Sequence, residues 1–282
     1  MTPPPVILIG AARSGTKILR DILAAPAGVA AVPYDVNYVW RYGAGDLPHD
    51  VLDPDALTEK RRAFIRATLP RLAHARPGDV LVEKTVSNTL RVPFVDRVFP
   101  EARFVHLIRD GRDVTESAMR QWQAGPDLAA LWTKLRGMPL SNAGYAAWFA
   151  GNMLRGLTRG RGGGGVWGPR FAGIEDAAAG RGLAAVCALQ WQASVEAARR
   201  DLAALPAVRV TEIRYEDMVA EPARMGDLAR ALDLPDPDAV TDAAARRLRP
   251  TPPGAWRALP AADRGTIEDL LAPTLDSLGY DR

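Results

Sequence analysis

Apolar residues fall along this chain alternately in short unbroken runs and in spaced rows. Pro5 to Ile9 is an apolar run of strand length, and Ile18, Leu19, Ile22 and Leu23 then recur at helical spacing. Gly28 to Val32, Val80 to Val82, Arg103 to Ile108 and Val208 to Ile213 read as further strands. Leu57, Phe64, Ile65 and Leu69 predict an amphipathic helix over 55–71. Leu90, Phe94, Val95 and Val98 predict another over about 88–99. Longer helices are expected over 111–123 and 183–202, and short ones near 222–232, 237–247 and 261–273. Strands alternating with helices imply an α/β, three-layer sandwich: a central, mostly parallel sheet with helices on both faces. No break in composition and no internal repeat divides the chain, so one domain over 1–282 is expected. The stretch 124–180 is less regular. It carries Trp132, Trp148, Trp167 and the run Arg159 to Gly165, which predicts a mobile Gly-rich insertion around 157–180, either a lid or a plain surface insertion.

The turn after the first strand, Gly10-Ala11-Ala12-Arg13-Ser14-Gly15-Thr16-Lys17, has the form of a phosphate cradle. Its backbone N–H groups point inward and the following helix adds its partial positive N-terminus. It is close to a Walker A loop, G-x-x-x-x-G-K-[ST], but Thr16-Lys17 inverts the last pair. A cation stands where the magnesium ligand belongs, and Arg13 adds a second. The alternative is a Gly-rich turn with no ligand.

Polar clusters close three other strands: Glu83-Lys84-Thr85, Arg109-Asp110-Gly111-Arg112-Asp113 and Arg214-Tyr215-Glu216-Asp217. Parallel strands bring those ends to one edge, where ligands bind in open sheets. Arg13, Lys17, Lys84 and Arg109 would line a site for a ligand with several negative charges. Each has a plainer reading. The Arg-Asp pairs at 109–113 would serve as exposed ion pairs, Lys84 as a snorkelling strand end, and 214–217 as a helix start. Tyr34, Tyr38, Trp40 and Tyr42 form either a core cluster or an acceptor platform. Trp191 and His106 read as core residues, His106 as a satisfied core or edge histidine.

Taken in order, these segments resemble those of sulfotransferases that use 3′-phosphoadenosine-5′-phosphosulfate (PAPS). Arg13-Ser14-Gly15-Thr16-Lys17 is similar to the family's 5′-phosphosulfate loop, with Lys17 in place of its second Thr. Arg109 to Ser117 resembles the 3′-phosphate motif, in which Arg109 and Ser117 would hold that phosphate. Arg214 to Asp217 is similar to a segment whose Tyr, here Tyr215, lies near the nucleotide. Pro253-Gly254-Ala255-Trp256-Arg257, preceded by Arg249, looks like the segment that closes over the 3′-phosphate. Glu83-Lys84-Thr85 resembles a segment of the tyrosylprotein-type and bacterial members whose Lys supports catalysis. Asp35 lies where those enzymes carry a catalytic Glu.

The resemblance implies a P-loop-like sandwich and a sulfotransferase with PAPS as co-substrate and no metal. The sulfuryl group would pass in line to a hydroxyl of a carbohydrate or glycolipid, a small alcohol or phenol, or a peptide tyrosine. Asp35, Lys84, Arg13 and Lys17 would be catalytic. Arg13, Ser14, Gly15, Thr16, Lys17, Arg109, Ser117, Tyr215, Arg249, Gly254, Trp256 and Arg257 would bind the nucleotide. The alternatives are a P-loop nucleotide kinase or NTPase, and a non-catalytic nucleotide-binding protein of the same fold. Against the kinase stand the Thr16-Lys17 inversion and the lack of an apolar strand ending in a lone Asp for Mg²⁺.

Charge and composition narrow the partners. A net charge of +3, with no Lys/Arg run, gives no reason to expect nucleic acid but accommodates an anionic small ligand. Cys187 is the single cysteine, which excludes an internal disulfide, and His49, His74 and His106 show no metal-ligand spacing. No apolar run approaches a membrane span and no signal peptide is apparent, so a cytoplasmic location is expected. A homodimer is compatible with the reading.

Overall fold

All four residues of strand β1, Val6–Ile9, are buried, and they alternate between two cores. The structure, a computed structural model, describes residues 3–44, 47–123, 168–249 and 253–281. Within these, β1, β2 (Val29–Ala31), β3 (Val80–Lys84), β4 (Arg103–Ile108) and β5 (Val210–Arg214) form one parallel sheet in the order β2-β3-β1-β4-β5. The helices are α1 (Thr16–Leu23), α2 (Asn37–Trp40), α3 (Glu59–Leu72), α4 (Val92–Val98), α5 (Gly111–Gln123), α6 (Ile174–Ala178), α7 (Leu183–Leu202), α8 (Tyr215–Ala220), α9 (Arg224–Ala231), α10 (Pro237–Arg247) and α11 (Ala261–Leu278).

Val6 and Leu8 meet Val105 and Leu107 beneath α1, α9 and α10. Ile7, Ile9 and Phe104 face the other way, against α3, α4 and α7. A third cluster joins α5, α7 and α11 around Trp191. The sandwich expected from the alternation of strands and helices is therefore present. With both faces of β1 apolar, side-chain alternation alone specifies its register loosely. Gly10 tightens it. A Cβ there would meet the Leu107 carbonyl oxygen at 2.8 Å, so no side chain fits where the loop leaves the sheet.

β4, α5, α7 and α10 span the residues that the pattern predicts. The helix expected over 88–99 is instead a 3-10 turn, Val86–Leu90, followed by α4. Pro93, in the first turn of α4, suits a helix start and not an interior. α3 begins at Glu59, because Thr58 caps it by accepting the Arg61 N–H. α11 continues past Pro273, held by the buried row Ile267, Leu271, Leu275 and Leu278. Residues 124–167, including Trp132, Trp148, Trp167 and the Gly-rich run, lie outside the described residues. The remainder of the expected insertion contains α6, and Arg170 is bound to the loop before α3. Its N–H reaches Asp50 at 2.9 Å, and its Nε reaches the Pro48 carbonyl at 2.7 Å.

Among the described residues no helix is long and apolar enough to cross a membrane.

Candidate active site

Because β1 lies between β3 and β4, the loop that follows it is central at the carboxyl edge of the sheet. The register aligns the neighbouring ends with it: Leu8 pairs with Lys84, Ile9 with His106, and Ile108 with Arg214. Arg13 sits in the loop at φ 72°, a left-handed conformation that is uncommon for a residue with a side chain. Gly15, at φ 95°, is the N-cap of α1 and leaves that helix end without a side-chain cap. A Cβ on Gly15 would meet the Tyr215 ring at 2.6 Å, so the loop and the β5 end touch through backbone against ring. The Ser14 hydroxyl is buried and has no hydrogen-bond partner among the described residues.

A cavity of about 540 Å³ opens over this loop. Of the residues expected at the site, Arg13, Gly15, Thr16, Lys17, Asp35, Lys84, Arg109, Ser117 and Tyr215 line it. The Arg13 Nε donates to Ser117 Oγ at 3.0 Å, and Arg109 donates to the Arg13 carbonyl at 3.3 Å. The Arg109 guanidinium lies over the Tyr215 ring, 4.4 Å from its centroid. Burial, followed by the charges of Arg120 and Arg109, lowers the Arg13 guanidinium below its ordinary pKa. Among the described residues Arg13, Lys17 and Arg109 form no ion pair.

On the opposite wall Lys84 Nζ donates to Asp35 Oδ2 at 2.8 Å, and the Val86 N–H donates to Asp35 Oδ1 at 3.0 Å. The Lys84 side chain is buried, whereas that of Asp35 is one-third exposed. The structure thus joins two residues 49 positions apart.

The segment 109–113 is a junction and not a row of surface ion pairs. Arg112 and Asp113 are buried. Arg112 donates to both Asp110 carboxylate oxygens and to the Asp281 carbonyl. The hydrogen bond to Asp110 raises the Arg112 pKa despite its burial. Asp113 accepts the Gly254 N–H at 3.0 Å and the Trp256 N–H at 3.4 Å. Glu216 accepts the Asp110 N–H and the Tyr280 hydroxyl, each at 3.0 Å. Three distant segments therefore converge on the start of α5.

Ser14, Arg249, Gly254, Trp256 and Arg257 do not line the cavity. Trp256 is buried, with the Arg112 and Arg257 guanidinium groups each about 5 Å from its ring. The aromatic patch at 34–42 is a core cluster: Tyr38 and Trp40 are buried and Tyr42 stacks on Phe64. Trp191 is a core residue. His106 is buried and its Nδ1 lies 3.1 Å from Glu212 Oε2, but Nε2 has no partner, so the ring is only half satisfied. In the sequence Asp113 reads as an ion-pair partner and Glu216 as part of a helix start, and nothing marks Tyr280, because their partners lie 64 to 143 residues away.

The fold recurs in known proteins. A family profile described as "Sulfotransferase family" matches residues 4–151. A sulfotransferase from Alicyclobacillus acidocaldarius has a similar structure (TM-score 0.52, 15% identity, 100% of this chain and 98% of that one). So does a sulfotransferase from Mycobacterium avium (TM-score 0.56, 14% identity, 100% of this chain and 78% of that one). The sulfotransferase domain of the Synechococcus PCC 7002 olefin synthase is a third (TM-score 0.50, 19% identity, 100% and 96%). No curated protein matches the sequence. The profile covers more than half of the 282 residues, including the loop after β1, Lys84 and the 109–117 segment, and by that match the chain belongs to the sulfotransferase family.

Proposed function

We propose that this sulfotransferase takes its sulfuryl group from PAPS and passes it to a hydroxyl acceptor, with the cavity over the β1 loop as the nucleotide site. The observation that carries the reading is the trio of Arg13, Lys17 and Arg109. They face one cavity and have no carboxylate partner among the described residues. The uncapped N-terminus of α1 and the unpartnered Ser14 hydroxyl fit an anionic group at the same loop.

The loop and Lys17 hold the 5′-phosphosulfate, and Arg109 and Ser117 hold the 3′-phosphate. Sulfuryl transfer resembles phosphoryl transfer in needing position and charge neutralisation more than covalent help. The acceptor oxygen forms a bond to sulfur as the bond from sulfur to the phosphate oxygen breaks. Adenosine 3′,5′-bisphosphate leaves with that electron pair. Arg13 and Lys17 neutralise the sulfate and the leaving phosphate, and Lys84 stabilises the bridging oxygen. Asp35 takes the acceptor's proton, a role worth about 10²–10⁴-fold in rate. Its one-third exposure, in the cavity wall, supports that assignment. Metal-independent transfer at this site, the 254–257 turn as part of the nucleotide site, and a cytoplasmic location complete the reading.

Transfer is tested with PAPS and a panel of sugars, phenols and tyrosine peptides in the presence of a chelator. Turnover is expected, and turnover of ATP with Mg²⁺ in its place overturns the reading. Asp35→Asn is expected to abolish transfer while nucleotide binding persists; undiminished turnover removes Asp35 as the base.

A further inference from the structure

Glu83 adjoins Lys84 in β3 but, by strand alternation, turns to the opposite face. It has no solvent exposure. Its Oε1 accepts from Trp40 Nε1 at 3.2 Å and from Thr85 Oγ1 at 2.5 Å, and its Oε2 accepts from Asn88 Nδ2 at 2.9 Å. All three donors are neutral. The charged groups felt at Glu83 are Asp35, which disfavours its ionisation, and Lys84, which favours it. Arg91 stands one step away, its Nε donating to Asn88 Oδ1. Burial pushes the Glu83 carboxyl up to about 7, against the opposing effect of the Thr85 and Trp40 donors. A carboxyl so placed is an expensive way to fill a core, and an apolar or amide side chain would occupy the same space.

What the carboxyl does is orient Thr85. The single hydroxyl proton of Thr85 goes to Glu83, so the lone pairs of Oγ1 face elsewhere, and one of them accepts the Val36 N–H at 3.1 Å. Val36 directly follows Asp35. The pair 35–36 is therefore stitched to 84–86 at three points: Lys84 to Asp35, the Val86 N–H to Asp35, and the Val36 N–H to Thr85. A donor in place of the Glu83 acceptor would turn the hydroxyl around and set its proton against the Val36 N–H. From this geometry we infer that Glu83, acting through Thr85, is the positioning residue that holds the Asp35 carboxylate against Lys84. Its effect on rate rests on the reading of Asp35 as the base; its effect on the loop does not.

The test uses Thr85→Val, which keeps the side-chain volume and removes the hydroxyl, with Thr85→Ser as the conservative variant and Glu83→Met, which removes the acceptor, alongside. Amide hydrogen exchange is followed over residues 33–36 and, as a control, in β1. In Thr85→Val exchange over 33–36 is expected to rise about tenfold or more while β1 is unchanged. Transfer is read as release of adenosine 3′,5′-bisphosphate with the fastest acceptor of the panel. A carboxylate misplaced by about 1 Å lowers kcat by about 10–10²-fold, with KM for PAPS within about threefold of wild type. Thr85→Ser restores both readouts, and Glu83→Met, which removes the oxygen that accepts from Thr85, moves them in the same direction as Thr85→Val. Should Glu83→Met fail to fold, the Thr85 pair carries the test. Unchanged exchange over 33–36 in Thr85→Val overturns the inference. Faster exchange with undiminished transfer upholds the positioning and instead sinks Asp35 as the base.

Discussion

Replacing Asp113 by Ala probes the junction at the start of α5 without touching the cavity. Asp113 is 4% exposed, and its carboxylate accepts the Gly254 N–H through both oxygens, at 3.0 and 3.1 Å, and the Trp256 N–H at 3.4 Å. A hydrogen bond to a charged group contributes about 1.5–3 kcal/mol, and the longer of these contributes less, so the loss is about 2–4 kcal/mol. For a chain of this size each kcal/mol moves the melting temperature by about 2–4 °C, which gives a fall of about 4–16 °C. Asp113→Asn keeps one acceptor oxygen and is expected to lose about half as much. The assay is a thermal melt with and without adenosine 3′,5′-bisphosphate. If the 254–257 turn works with the nucleotide, the rise in melting temperature on adding ligand also shrinks in Asp113→Ala. A variant that melts within about 1 °C of wild type refutes the junction as a source of stability.

Arg109→Ala is expected to weaken binding of adenosine 3′,5′-bisphosphate by about 10²–10³-fold, the worth of two charge-assisted bonds, and to leave AMP binding nearly unchanged. Equal losses for both nucleotides by calorimetry detach Arg109 from the 3′-phosphate. Glu83 yields a pH dependence of stability. Its folded pKa of about 7 lies above the ordinary 4.5, so between these values the folded chain keeps a proton that the unfolded chain releases. Stability from this group is complete below 4.5 and is lost as pH rises through 7, by about 3 kcal/mol in all. Denaturant titrations across that window are expected to show the slope in wild type and not in Glu83→Gln; parallel slopes count against it.

The layers of this fold were legible because strands and helices repeat local patterns. β4 and α7 begin and end where their apolar rows do. Motif order carried the family, since four polar segments at strand ends coincide with a resemblance that the family match bears out. Boundaries failed where one residue overrides a pattern: Pro93 moves the start of α4, Thr58 that of α3, and a buried row carries α11 past Pro273. The site was legible as a list of cations but not as a geometry. Spacing alone does not say that Asp35 meets Lys84, that Asp113 holds Gly254, or that Tyr280 reaches Glu216. The aromatic patch at 34–42 has the composition of a binding platform and yet packs inward, because Trp40 donates to a carboxyl in the core.

Calorimetry of the wild-type protein with adenosine 3′,5′-bisphosphate, AMP and ATP, without metal, tests the nucleotide site most directly. Tight binding of the bisphosphate alone is the expected result. AMP or ATP binding with equal affinity contradicts it.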